Sequence, residues 1–252
     1  MLTTITHTAE RILDGTLRCE TCRRDTEIRG GIWMAMGPHR AVRTLAQLSN
    51  VVPPTPQLYE RLWRVRSLSL LSGRSFPVAE ELAELTAALA PGPGRRCVDV
   101  ACSEGLYARR LAASGAAVAA VDHSEPFLRR LAARTLAEEL RIAPIQALAQ
   151  NLPLASGAFD GVAMGGSLNE IGDAPVAVAE MARVLAPGGR SFSMHLVAAS
   201  SRPGRALQAV LRLAGIAFPT LAASREMFAA AGLEVTDART DRVVVRMAGR
   251  RT

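Results

Sequence analysis

Short unbroken apolar runs and helix-spaced segments alternate through most of the chain. The runs Cys97–Ala101 and Ala116–Val121 read as strands, as do Ile142–Ala147, Ala158–Met164 and Ser191–Val197. Pro144 counts against the third unless it sits at the strand's start. Between them, Leu106–Ser114 reads as a helix with Leu106, Leu111 and Ala112 inward and Arg109 and Arg110 outward. Ser124 is the N-cap of the next helix, with Glu125 and Pro126 in its first turn. Pro77–Ala90, Pro175–Leu185, Arg205–Gly215 and Arg225–Ala231 are the other helices of this part, the last capped by Ser224. Leu233–Val235 and Val243–Met247 are expected to close the fold as an antiparallel pair. Strand, tight turn, helix, strand and a terminal acid, Asp122, follow one another within residues 95–122. That is the layout of a nucleotide-binding half of a doubly wound α/β sheet. There the turn offers backbone N–H groups to a ligand, and the acid can accept hydrogen bonds from two ribose hydroxyls.

The turn reads Cys97-Val98-Asp99-Val100-Ala101-Cys102-Ser103-Glu104-Gly105. It resembles the first motif, V-L-D-x-G-x-G-x-G, of the class I S-adenosylmethionine (SAM)-dependent methyltransferases, with Ala101 and Ser103 standing for the first two glycines. Further motifs resemble that family in order. They are Val121-Asp122-His123-Ser124-Glu125, Phe159-Asp160-Gly161-Val162, Leu185-Ala186-Pro187-Gly188-Gly189 and Ala231-Gly232-Leu233-Glu234-Val235. The resemblance covers roughly residues 57–252. It implies a mostly parallel seven-stranded sheet with helices on both faces and a closing antiparallel strand. It also implies SAM as cofactor. Asp99, Ala101, Ser103 and Gly105 would hold the methionine half and Asp122 the ribose. Tyr107 would cover the sulfonium end, or else fill a gap beneath an N-terminal cover. Where the family carries an adenine-binding Asp, this chain has Leu148; Gln150 or Asn151 could supply that bond from nearby, the backbone alone could serve, or the pocket no longer holds SAM.

Acceptor chemistry in this fold belongs beyond the carboxyl ends of the strands. Asn169 and Glu170 follow the fourth strand there, as candidates to orient or deprotonate an acceptor; a loop amide and a solvated carboxylate are the plainer readings. His195, near the end of the fifth strand, is a candidate general base, or a buried imidazole bonded to backbone. Tyr59 and Trp63 lie on an expected helix, Gln57–Ser72, which in the family often covers the active site. They either touch substrate or pack the helix down.

Residues 1–50 are expected to stand outside the sheet, as a small extension carrying the Cys19-Glu20-Thr21-Cys22 knuckle, with Val51–Pro56 as a proline-rich linker to the domain at 57–252. The knuckle is similar to the start of a zinc ribbon found in some methyltransferases. Its second cysteine pair is absent, so no metal is expected.

All thirty basic residues are Arg, and the net charge of +7 raises a nucleic-acid partner. The arginines are scattered in ones and twos, which reads as a solvated surface, and no nucleic-acid partner is expected. Two of the four cysteines fall in the first strand and turn, against a disulfide framework. No secretory signal and no membrane-spanning run is read, and a cytoplasmic protein without a membrane partner is expected. The function expected is methyl transfer from SAM to a small biosynthetic acceptor. The alternatives are a non-methylating cyclase or similar catalyst on the same fold, and an rRNA methyltransferase.

Overall fold

The computed structural model describes residues 5–8, 11–19, 23–36, 71, 73, 75 and 77–252. Cys22, the linker 51–56, the expected helix 57–72, Tyr59 and Trp63 lie outside the described residues, apart from isolated positions at the end of that helix.

Five parallel strands form the centre of the sheet: β5 (Arg96–Val100), β6 (Ala117–Asp122), β7 (Ile142–Gln146), β8 (Phe159–Gly165) and β9 (Leu185–Leu196). A closing hairpin, β10 (Leu233–Asp241) and β11 (Val244–Arg251), adds to β9 through antiparallel β11. The spatial order β7-β6-β5-β8-β9-β11-β10 reverses direction at β5, and that switch point is where an open α/β sheet forms its ligand crevice.

The strands are near-continuously apolar because both faces are covered. Alternate residues serve opposite layers. Cys97, Val118 and Ala120 pack under α1 (Val78–Leu89), α2 (Leu106–Ala113) and α3 (Glu125–Ala137). Val98, Val100, Ala119 and Val121 pack under α4 (Ala174–Val184) and α6 (Leu221–Ala230). The remaining helix, α5 (Arg202–Leu213), lies between β9 and α6 in the chain.

Three expectations need correction. Pro144 sits in the middle of β7, not at its start. Val118 N–H donates to Arg141 O and Ala147 N–H to Asp122 O, so odd-numbered β7 residues face β6 and Pro144 turns its nitrogen to the outer side. The outer ladder begins only at Ile145, so no bond is lost there.

The N-terminal extension is not separate from the sheet. β1 (Ile5–Thr8), β2 (Arg11–Arg18), β3 (Asp25–Arg29) and β4 (Ile32–Met34) form an antiparallel meander, and β4 pairs in parallel with β7. The result is one eleven-stranded sheet. Ile32 is buried in the layer beneath α1–α3, while Trp33 packs against the opposite one and donates from Nε1 to Thr26 Oγ1 at 2.8 Å.

Finally, α6 starts earlier than Ser224 suggested. Thr220 is its N-cap, accepting from Ala223 N–H at 3.0 Å. Ser224 is released for a different contact, described below.

Candidate active site

The turn after β5 is built around left-handed backbone. Ala101 has φ 55°, Ser103 φ 50° and Gly105 φ 76°. Each non-glycine residue so placed costs roughly 1–2 kcal/mol. The three positions that resemble motif glycines all keep the conformation glycine favours, although two of them are now Ala and Ser. At Gly105 a side chain is also excluded by space, since a Cβ would lie 2.4 Å from Leu131 Cδ1.

Surrounding acids hold the turn in this shape. Asp99, buried at the end of β5, accepts from Ala108 N–H at 2.9 Å and so caps the first turn of α2. Asp122 accepts from Ser103 N–H at 2.8 Å through Oδ2, and from Ser124 N–H at 2.8 Å through Oδ1. Both carboxylate oxygens thus already bind backbone, one of them in the turn itself. Ser124 is the N-cap of α3 by position, but its side chain makes no capping bond.

Glu104 gave no signal in the sequence. It is 2% exposed and clamped by Arg130 at 2.5 Å and Arg134 at 2.8 Å, which fastens the turn to α3. The i, i+4 spacing of those arginines was a visible hint, since it places both on one helix face. On the other side, Ser167 Oγ reaches Ala101 O at 3.4 Å and links the turn to the loop after β8. Burial pushes the Cys102 thiol well up, with Asp122 and Asp99 adding to the effect, so it stays protonated. Cys97 rises to about 11, again chiefly by burial.

Leu148 and Gln150 follow β7 at the same sheet edge, both partly exposed. Gln150 donates to Ile171 O at 2.7 Å.

The acceptor-side residues are not brought together. His195 is 1% exposed and turned into the layer beneath α6, its Nε2 2.9 Å from Ser224 Oγ and its ring stacked on Phe228. Strand alternation is the cause: Phe192 and Met194 take the face beneath α1–α3, which sends His195 to the other. Burial lowers its pKa to about 4, so the ring is neutral and enclosed rather than facing an acceptor.

Asn169 is also buried. Its Oδ1 accepts from Leu196 N–H at 2.8 Å, and its Nδ2 donates to Leu196 O at 2.8 Å and Ala217 O at 2.5 Å. The amide is committed to stapling the end of β9 to the chain returning from α5. Glu170 remains at the rim, partly exposed, in a turn closed by its N–H to Ser167 O at 3.0 Å.

Tyr107 does not lie open beside the turn. Its ring fills the space over Gly165, where a Cβ would come within 2.5 Å of it, and meets Phe192 edge-on. Its hydroxyl donates to the buried Glu81 carboxylate of α1. Among the described residues no group of three potential metal ligands gathers, and Cys19 is exposed.

Residues 98–193 match the family model described as a methyltransferase domain. With the β5 turn, the sheet order and this match agreeing, the assignment is decided. Residues 98–193 are a domain of the class I SAM-dependent methyltransferase family. A demethylmenaquinone methyltransferase of Clavibacter sepedonicus is 39% identical over 105 residues, 42% of this chain and 42% of that protein. The chain spans about half the length, or less, of the first curated relatives it matches.

Many solved structures share the fold. Geranyl diphosphate C-methyltransferase from Streptomyces coelicolor A3(2), solved with S-adenosyl-L-homocysteine, has a TM-score of 0.62 at 14% identity, covering 69% of this chain and 76% of that one. The 4+2 cyclase SpnF also has a TM-score of 0.62, at 17% identity, covering 84% of this chain and 97% of that one.

Proposed function

We propose that this methyltransferase-family chain transfers a methyl group from SAM to a small-molecule acceptor. The observation that carries the reading is the β5 turn. It keeps left-handed backbone at Ala101, Ser103 and Gly105, with the Asp122 carboxylate beside it at the switch point of the sheet. A turn that retains a strained shape without its glycines is maintained for what that shape holds.

The donor set fits an adenosyl group. Asp122 lies at the end of β6, where two hydroxyls of a ribose would be accepted, and Leu148 offers an apolar surface to a base. Leu148 cannot accept a bond from the adenine amine, so recognition of the base falls to backbone and to Gln150. When bound, SAM supplies a methyl carbon already activated by its sulfonium. The chain's own work is to orient donor and acceptor and to exclude water. With His195 and Asn169 turned inward, Glu170 is the one candidate base of the sequence reading at the rim, and the reading favours an acceptor that needs little help in losing a proton.

The acceptor class follows the relatives. The matches named for demethylmenaquinone and the structural likeness to a geranyl diphosphate enzyme favour a prenylated or otherwise apolar small molecule. A second reading, a non-methylating cyclase on the same fold, is supported by Leu148 at the adenine position and by the likeness to SpnF along 84% of the chain.

Calorimetric titration with S-adenosylhomocysteine separates the two. Micromolar binding, weakened at least tenfold by Asp122→Ala and retained by His195→Gln, is the expected result. No binding at millimolar ligand would leave the cyclase reading.

A further inference from the structure

Helix α5 is inside out. Three of the five large apolar side chains exposed among the described residues lie on it: Leu207 at 57%, Val210 at 63% and Leu213 at 86%. Its buried residue is polar. Gln208 accepts from Ala199 N–H at 2.8 Å and donates to Val197 O at 2.9 Å, fixing the helix to the chain leaving β9. At 3.6 residues per turn, Ala206, Leu207, Val210, Leu211 and Leu213 share one broad arc. An ordinary surface helix turns such an arc to the core.

The charges on α5 are all of one sign. Arg202, Arg205 and Arg212 are its ionisable residues, and none forms an ion pair with a described residue. Arg205 donates to Ser200 O, and the Arg212 guanidinium lies 5.6 Å from the Phe218 ring centroid.

We propose that α5 docks the protein onto an anionic lipid bilayer, lying in the interface with Leu207, Val210 and Leu213 in the acyl boundary and its arginines at the headgroups. A strong apolar arc flanked by arginine alone is the composition of an interfacial helix. Charge argues against a second copy of this chain, because pairing two α5 faces would bring arginines together with no acid on either helix to neutralise them. The arc carries Leu, Val and Ala but no aromatic or Met, the residues that enrich protein interfaces.

Docking at a surface differs from crossing it. No helix of the described residues is long and apolar enough to span a membrane. The expectation of no membrane partner is revised only for the surface. The docking does not rest on the methyl-transfer reading, since it is measured without cofactor. Its place matters to that reading, though. α5 follows β9 and returns to Asn169 through Ala217, so the docked face lies on the carboxyl side of the sheet, where an apolar acceptor would enter.

The test is co-sedimentation of the full chain with vesicles of equal parts phosphatidylglycerol and phosphatidylcholine, and with phosphatidylcholine alone. Binding to the mixed vesicles is expected. It should fall roughly a hundredfold with Arg202→Gln, Arg205→Gln and Arg212→Gln combined, given the contribution of each basic residue near an anionic surface. Leu207→Gln, Val210→Gln and Leu213→Gln combined should abolish it with little change in melting temperature, because all three side chains face outward.

Absence of binding, or binding indifferent to both triple variants, would overturn the proposal. So would a dimer, seen by analytical ultracentrifugation, that the apolar triple dissolves while vesicles bind nothing. A large drop in melting temperature with the apolar triple, again without vesicle binding, would show that the chain covers this face itself and would equally overturn it.

Discussion

Ala101 and Ser103 carry backbone conformations that suit neither residue. Replacing either with Gly removes Cβ strain, partly offset by the greater freedom of glycine in the unfolded chain. Ala101→Gly and Ser103→Gly should each stabilise the fold by about 1 kcal/mol, read as a higher denaturation midpoint at unchanged slope. His195 makes the pH dependence specific. Its folded-state pKa, about 4, lies below the unfolded 6.5, so the unfolded chain binds the proton more readily. The stabilising effect is complete above pH 6.5 and is lost as pH falls towards 4, with a total of about 3 kcal/mol. Denaturation of wild type and His195→Gln across that window should show a steeper loss in the wild type. Sequence alone named His195, Asn169 and Tyr107 as chemically equipped. It did not show that the first two face a neighbouring helix or strand end, because the layer a strand residue faces depends on register across the whole sheet.

At the scale of elements, the β5–α2 turn is secured from outside rather than by its own residues. Glu104 between Arg130 and Arg134 is the strongest of these fastenings, being buried and doubly paired. Glu104→Gln should destabilise the protein by about 2 kcal/mol, in the range of charge-assisted hydrogen bonds. Arg239→Ala, which takes an exposed guanidinium from exposed Asp237 and partly buried Glu84, should cost less than about 1 kcal/mol. Paired thermal melts of the two variants test the contrast. The elements themselves were legible where burial is two-sided: β5, β6 and β8 are apolar runs whose neighbours in space are also apolar. The start of α6 was less so, since Thr220 and Ser224 are both good caps and only packing decides between them. Pro144 looked like an obstacle because its ladder partners, and hence the side its nitrogen faces, are not written in the local sequence.

At the scale of the molecule, the order of motifs was enough to place seven strands and the crevice between them. The N-terminal meander was missed for the same physical reason as His195. β2 and β3 are rich in charge, and what recruits them is β4 finding the edge of β7. That pairing joins Met34 to Gln146, more than a hundred residues further along the chain. It therefore sets a schedule on biosynthesis. At roughly 5–20 residues per second, the nascent meander waits on the order of 5–20 s before its partner strand has been made. Throughout that interval Ile32 and Trp33, destined for opposite layers of one sheet, have no core to enter, and the emerging chain is at its most exposed to chaperones and to neighbouring ribosomes.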